Sequence, residues 1–328
     1  MPREEGVILF DCRDPYVARR FILDHEVNVI RAAIVSHLDL DHIGGLLPFL
    51  RQHFESGRRV ERLYIRLDRR PEGRHLRDLV AQAIAWQDQP PHPGFVVQDP
   101  SRDMAGTRVV AEGDDWRVEL LLPFHHRNLG SELAGGADPN ERSAVLRVSR
   151  GDSAIVIGGD APPVVWADVE TDLRRARVIR VPHHGGYLDV GPSWASLSDF
   201  YADVGADLGL ISVGTNNHYG HPLPDHVAAL RRGGACRVLC TQLTARCHDS
   251  PMDERDRVLS TVVNGVEYPY RHRLAAGDRR RYRPSREVPC AGSITIWINA
   301  DGVIEVEPAP RQQHDQFIDR LDHPLCRG

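Results

Sequence analysis

Short apolar runs alternate with helix-spaced segments along this chain, and several of the runs end in polar residues. A mixture of short strands and helices of this kind predicts a layered α/β architecture with a functional site at the strand ends. The predicted strands are Val7–Phe10, Val27–Val35, Arg108–Ala111, Arg117–Leu122, Ala144–Val148, Ala154–Ile157, Val178–Val181, Leu208–Val213 and Arg237–Thr241. The predicted helices are Pro15–Asp24, one starting at Leu46–Leu50, part of 51–95, Val164–Ala176, Ser193–Val204 and Asp225–Arg232. Ser293–Asn299 and Val303–Val306 are predicted to form a hairpin around Asp301-Gly302.

Composition narrows the class of protein. The 328 residues are 41% hydrophobic and 27% charged, which is typical of a globular protein and excludes a disordered or collagen-like chain. We predict a single domain over residues 1–328, with an irregular, cysteine-containing insertion at about 242–288. No apolar run approaches the ~18–20 residues of a membrane span, and the polar N-terminus is unlike a signal peptide, so a soluble cytoplasmic protein is expected.

The charge balance bears on possible partners. The formal net charge is −5, unlike the basic balance usual for a nucleic-acid binder, and the sequence contains no lysine. The arginines cluster in three segments, which could follow a nucleic-acid backbone or could be solvated faces paired with nearby acids. The segments are Arg58 to Arg77, Arg174 to Arg180, and Arg279 to Arg286 with Tyr282 among them.

The strongest chemical signal is His37-x-Asp39-x-Asp41-His42, at the end of an apolar strand and before Gly44-Gly45. Alternate side chains of an extended segment point the same way, so His37, Asp39 and Asp41 can converge, and His42 can join them where the chain turns. Imidazole and carboxylate ligands together suit Zn²⁺ or Mn²⁺. The segment therefore predicts a divalent-metal site.

This segment resembles the ligand loop of the metallo-β-lactamase fold, in the variant found in the C-terminal hydrolase domain of the ComEC competence proteins. Further blocks agree with that family in order: Asp11 after a strand, Asn140 to Leu146, Gly159-Asp160, Val181 to Gly186, and Ile211 to Pro222. The resemblance covers residues 7–230. It implies an αββα sandwich, an α/β (α+β) fold with the site at the edges of two packed sheets.

The resemblance also implies a two-metal site. Asp160 would bridge the ions, one held by His37 and Asp39, the other by Asp41, His42 and a late histidine. His221 is the predicted late ligand, which leaves His183 and His184 near the metals for a role in binding phosphate or protonating the leaving group. Asp41, His183 and His184 are the predicted catalytic residues, and Asn140 is a further candidate ligand where many relatives have histidine.

The expected function is metal-dependent hydrolysis of phosphodiester bonds by an activated water, with DNA or RNA as the favoured substrate. Two alternatives stay open: hydrolysis of a small phosphodiester or cyclic nucleotide, and a weakly active metal-binding component of a larger complex. Most relatives begin with a further strand pair before the Asp11 motif, so either that edge is missing here or a protein partner covers the short N-terminal edge.

A second metal site is a separate expectation. Cys240, Cys247, His248 and Cys290 could hold a structural zinc ion that pins the 242–288 insertion, with Cys236 as a further candidate. The spacing is not that of a standard zinc finger, and buried free thiols are the alternative interpretation.

Overall fold

The computed structural model describes most of the chain, which divides into two compact units. One consists of residues 1–111 and 118–146, and the other of residues 112–117 and 147–328. The described residues are 6–66, 73–101, 108–124, 138–215, 217–251, 262–263, 266–267, 288–307 and 317–327.

The first unit contains a parallel sheet with helices between its strands. The strands run in the order β1-β2-β4-β5, and β3 pairs with β2 as well. Because parallel strands end at the same edge, the loop that follows β2 starts at the carboxyl edge of this sheet. The elements are β1 (Val7–Phe10), α1 (Pro15–Asp24), β2 (Val29–Ile34), α2 (Leu40–Ile43), α3 (Leu46–Glu55), β3 (Arg59–Val60), β4 (Arg62–Tyr64), α4 (Arg74–Asp88) and β5 (Val96–Gln98).

The core of this unit lies between the sheet and its helices. Ile30 and Ala33 of β2 and Leu50 of α3 are fully buried in one apolar cluster. Strands covered by apolar neighbours carry near-continuous hydrophobic runs, as β2 does. Helix α1 begins where the Asp14 carboxylate accepts hydrogen bonds from the amides of Tyr16 and Val17.

Three strands each have residues assigned to both units. They are β6 (Arg108–Glu112), β7 (Trp116–Leu122) and β8 (Val145–Arg150). In the second unit β9, β10, β11 and β12 are consecutive parallel neighbours. The elements of this unit are β9 (Ser153–Ile157), α5 (Pro163–Trp166), α6 (Thr171–Arg174), β10 (Val178–Arg180), α7 (Leu197–Val204), β11 (Leu208–Ile211), α8 (Pro224–Arg232), β12 (Arg237–Cys240), β13 (Val262–Val263), β14 (Val266–Glu267), β15 (Thr295–Ile298) and β16 (Ile304–Glu307).

The sheet of the second unit brings three polar loops to one edge. The loops that follow β9, β10 and β11 all begin at the carboxyl ends of parallel strands, and they carry Asp160, the His183-His184 pair and His221. The β15–β16 hairpin packs on the same apolar cluster as Val178, Leu208 and Leu239. The fold therefore gathers the predicted site residues of this unit at one end of its sheet.

The predicted mixed α/β fold is confirmed, but one predicted helix is wrong. The segment predicted as a single helix, Val164–Ala176, is instead the two short helices α5 and α6. Glu170 is extended at φ −56° and ψ 139° and begins α6, while Trp166 of α5 is buried and donates from Nε1 to the Ala161 carbonyl at 3.1 Å. The buried indole of Trp166 holds α5 in place as a short helix separate from α6.

Two further points concern the predicted segments. Most of the 242–288 insertion lies outside the described residues, apart from residues 242–251 and the paired strands β13 and β14. No helix within the described ranges has both the length and the apolar run that a membrane crossing requires.

Candidate functional site

The loop after β2 turns sharply into a short helix. Amides of His42 and Ile43 donate to the Asp39 carbonyl at 3.0 Å, so the helical turn begins at Leu40. Asp41 therefore lies in helix α2, and the sequence expectation of an extended chain through Asp41 is wrong. Gly45 permits this turn, because a Cβ atom there would lie 2.6 Å from the Arg13 carbonyl oxygen.

His42 is held in place by a residue at the end of β1. Its Nδ1 atom lies 2.7 Å from Oδ2 of Asp11, and only 1% of its side chain is exposed. Asp11 also accepts hydrogen bonds from the Ser36 amide and hydroxyl, both at 2.8 Å. An imidazole fixed by a carboxylate at one nitrogen presents the other nitrogen, Nε2, which is the usual arrangement of a metal-binding histidine.

His37 lies beside His42, with ring centroids 4.1 Å apart. Its Nδ1 atom contacts the hydroxyls of Ser36 at 3.0 Å and Ser143 at 3.3 Å. Its Nε2 atom is 3.6 Å from Oδ2 of Asp39. The neighbouring His37 side chain lowers the pKa of Asp39 despite some burial, so this carboxyl group is anionic at neutral pH.

Two further residues of the first unit, Asn140 and Cys12, carry atoms that could bind a metal ion. The Oδ1 atom of Asn140 is buried and has no hydrogen-bond donor among the described residues, as a carbonyl oxygen available to a cation would be. Cys12 follows Asp11 in sequence, but burial together with Asp14 and Asp11 raises the pKa of its thiol to about 12. Cys12 therefore stays protonated and adds no thiolate ligand.

In the second unit, the Gly158-Gly159-Asp160 turn packs on the loop that follows β10. A Cβ atom on Gly158 would lie 2.7 Å from Pro182, and the His183 amide donates to the Gly159 carbonyl at 3.2 Å. The Asp160 residue is 4% exposed. Gly158 thus allows the two strand-end loops to approach each other closely.

The loop after β10 has an unusual backbone. His183 and His184 have φ values of 50° and 53°, in the left-handed region, and Gly185 follows at 76°. Non-glycine residues adopt this region at an energetic cost of order 1–3 kcal/mol each, and such residues cluster at functional sites. The His184 Nδ1 atom contacts the Ser212 carbonyl at 2.6 Å, and its Nε2 atom lies 3.8 Å from Oδ1 of Asp160.

His183 and His221 form a second pair of rings, with centroids 5.3 Å apart. His183 contacts the Tyr187 carbonyl through Nδ1 at 3.0 Å. The His221 amide donates to Oδ1 of Asn217 at 2.6 Å, and a Cβ atom on Gly186 would lie 2.5 Å from the His221 ring. The described contacts thus place a nitrogen of His184 beside Asp160 and pack the ring of His221 edge-to-face against that of His183.

A buried pair supports this loop from behind, and the sequence analysis missed it. The His226 Nδ1 atom lies 2.6 Å from the Gly186 carbonyl, and Nε2 lies 2.5 Å from the Tyr201 hydroxyl. Burial lowers the pKa of His226 to about 4, so the ring is neutral at pH 7. Because a carbonyl only accepts, Nδ1 carries the proton and the Tyr201 hydroxyl donates to Nε2.

The predicted structural zinc site stays a prediction. Cys240, Cys247 and Cys290 are buried, and burial raises the pKa of all three thiols. Cys236 is exposed. The Nδ1 atom of His248 lies 2.9 Å from Oδ2 of Asp322.

The arginine clusters are partly neutralised by acids. Arg174 pairs with Asp203 at 2.8 Å, Arg177 pairs with Asp207, and Arg74 lies 3.6 Å from Asp78. These pairs favour the interpretation of acid-paired faces for these arginines. The third cluster, Arg279 to Arg286 with Tyr282, lies outside the described residues, as do Arg69 and Arg70.

Comparison with known proteins gives remote structural similarity only. No protein-family model matches the chain, and no curated protein matches it. The solved structures that it resembles include the human short form of tRNase Z (ELAC1), at 17% identity and a TM-score of 0.37 over 73% of this chain and 82% of the other.

Two further structures give similar values. A diphosphatase of the PhnP family is 12% identical, with a TM-score of 0.36 over 81% of this chain and 77% of the other. The metallo-β-lactamase fold protein YhfI from Bacillus subtilis is 13% identical, with a TM-score of 0.39 over 71% of this chain and 83% of the other.

Proposed function

We propose that this protein is a metal-dependent hydrolase of the metallo-β-lactamase type that cleaves phosphodiester bonds. The observation that carries the proposal is a repeated arrangement of histidines. His42 in one unit and His184 in the other are each held through Nδ1 by a fixed oxygen, on Asp11 and Ser212 respectively. Histidines oriented in this way, with carboxylates nearby, are typical ligands of Zn²⁺ and Mn²⁺.

The donor set fits divalent ions. The first unit offers His37, Asp39, Asp41 and His42, together with the buried Oδ1 atom of Asn140. The second unit offers Asp160 and His184, to which we add His221 as the sequence resemblance implies. Asp160 would also hold metal, as the resemblance of the sequence implies. When bound, the ions would lower the pKa of a coordinated water and stabilise the charge that develops on the phosphate oxygens.

The chain itself has a candidate proton donor. The His183 Nδ1 atom is occupied by the Tyr187 carbonyl, which leaves Nε2 to exchange a proton with the leaving oxygen. The left-handed backbone at His183 and His184 turns two consecutive imidazoles to different partners, the Tyr187 and Ser212 carbonyls. One loop could therefore supply both a metal ligand and a general acid.

The proposal is tested by a hydrolysis screen over DNA, RNA and small phosphodiesters with Mn²⁺ or Zn²⁺ added. We expect turnover that is lost on chelation and in Asp160→Ala, and kept in Asp152→Ala, which changes an exposed carboxylate in the turn between β8 and β9. Cleavage confined to small diesters would favour the small-substrate alternative. Cleavage that persists in Asp160→Ala would contradict the assigned site.

A further inference from the structure

Two tyrosine rings are exposed to solvent close to His183 and His221 of the second unit. Tyr187 is 79% exposed and Tyr219 is 80% exposed, the highest values among the exposed large apolar and aromatic residues of the described chain. Aromatic side chains usually cover most of their surface, because burying a ring is favourable. Two rings left exposed beside one candidate site are therefore available to a ligand.

Hydrogen bonds from nearby side chains fix the backbone segments that carry both tyrosines. The Asn217 side chain bonds the Gly214 carbonyl at 2.9 Å and both the amide and the carbonyl of His221, at 2.6 and 2.8 Å. This clamp closes the turn that carries Tyr219, whose ring lies 5.7 Å from that of His221. Tyr187 is fixed through its own carbonyl, which contacts Nδ1 of His183.

A positive charge lies beside the same turn. Arg246 is exposed, and its Nε atom donates to the Gly220 carbonyl at 3.1 Å, next to Tyr219 in sequence. Exposed aromatic faces interleaved with arginine are the elements with which proteins bind single-stranded nucleic acid, since every unpaired base offers a face for stacking. Bases of a duplex are already stacked on their neighbours and cannot use such rings.

We propose that Tyr187 and Tyr219 stack on unpaired bases and that Arg246 contacts a phosphate, so that the substrate is a single-stranded nucleic acid. The inference rests on the proposed phosphodiesterase function, whose substrate class it names. In this proposal the two tyrosines bind the substrate and take no part in cleaving the phosphodiester bond.

The test measures binding of a labelled single-stranded oligonucleotide to the full chain by fluorescence anisotropy. A chelator is present to prevent cleavage. The variants are Tyr187→Leu, Tyr219→Leu and the corresponding phenylalanine changes. Tyr16→Leu, which alters a partly exposed tyrosine of helix α1, is the matched control. An abasic oligonucleotide of equal length separates stacking from phosphate binding.

We expect each leucine variant to bind the base-bearing strand about 5- to 160-fold more weakly, because stacking contributes about 1–3 kcal/mol per base. The phenylalanine variants and Tyr16→Leu should bind like the unaltered protein, and the abasic strand should be insensitive to all of these changes. The slope of log affinity against log salt is negative, and Arg246→Gln should make it shallower by about 0.7. The tyrosine variants should leave this slope unchanged.

Three results would overturn the inference: no strand binding at low salt, leucine variants that bind normally, or equal losses on base-bearing and abasic strands. A separate assay with methyl p-nitrophenyl phosphate, a small phosphodiester without a nucleobase, distinguishes the two proposals. If the unaltered protein hydrolyses it but the leucine variants show no binding defect, the stacking inference fails and the proposed function stands. If no phosphodiester is cleaved while the predicted binding pattern appears, the hydrolase function fails instead.

Discussion

Burial of His226 predicts a defined dependence of stability on pH. The residue is 3% exposed, and burial lowers its pKa from 6.5 to about 4. Between these values the unfolded chain binds a proton at this position and the folded chain does not. The contribution of His226 to stability is therefore complete above pH 6.5, falls as the pH drops toward 4, and falls no further below that.

The magnitude follows from the two pKa values. Integrating the difference in bound protons from pH 7 to pH 5 gives a loss of about 2 kcal/mol in the free energy of unfolding. A glutamine at this position keeps a hydrogen-bond donor and an acceptor but does not titrate. His226→Gln should therefore lack this component of the pH dependence, whatever its stability at pH 7.

The assay is urea unfolding of both proteins at pH 7, 6 and 5, with chelator present so that metal binding adds no pH dependence. We expect the stability advantage of the unaltered protein over His226→Gln to shrink by about 2 kcal/mol between pH 7 and pH 5. His75→Gln, which changes an exposed histidine of helix α4, should follow the unaltered protein. Equal pH dependence in the unaltered protein and His226→Gln would refute a neutral, buried His226.

Two further substitutions test how the site is held. Asp11→Asn should weaken metal binding about 10- to 100-fold with little change in fold, because the carboxylate that orients His42 is lost. Calorimetric titration with Zn²⁺ measures this affinity. An unchanged affinity would count against the orienting role of Asp11. His183→Ala should reduce kcat about 10²- to 10⁴-fold while the metal content stays constant; loss of metal in this variant would instead make His183 a ligand.

Local signals predicted much of the fold. Helix α1 was predicted at its observed bounds, Pro15–Asp24, from its helical spacing alone. The ligand loop stood out because four candidate ligands fall within six residues, from His37 to His42. Such features depend on neighbours in sequence, so the sequence alone can reveal them.

Contacts between distant segments were beyond the sequence pattern. Tyr201 and His226 both lie on helices with ordinary amphipathic patterns, and neither has a local signal that marks it as part of a buried hydrogen-bonded pair. Residue spacing also could not decide which histidine lies beside Asp160. That depends on the left-handed turn at His183 and His184, which propensity disfavours and the surrounding loops impose.

The most direct test of the central claim is the metal content of purified protein, measured by elemental analysis alongside phosphodiester hydrolysis. We expect divalent metal and activity in the unaltered protein and in Asp152→Ala. Asp41→Ala and Asp160→Ala should lose both, while circular dichroism shows the fold intact. Unchanged metal content in Asp160→Ala, or hydrolysis by metal-free protein, would contradict the account.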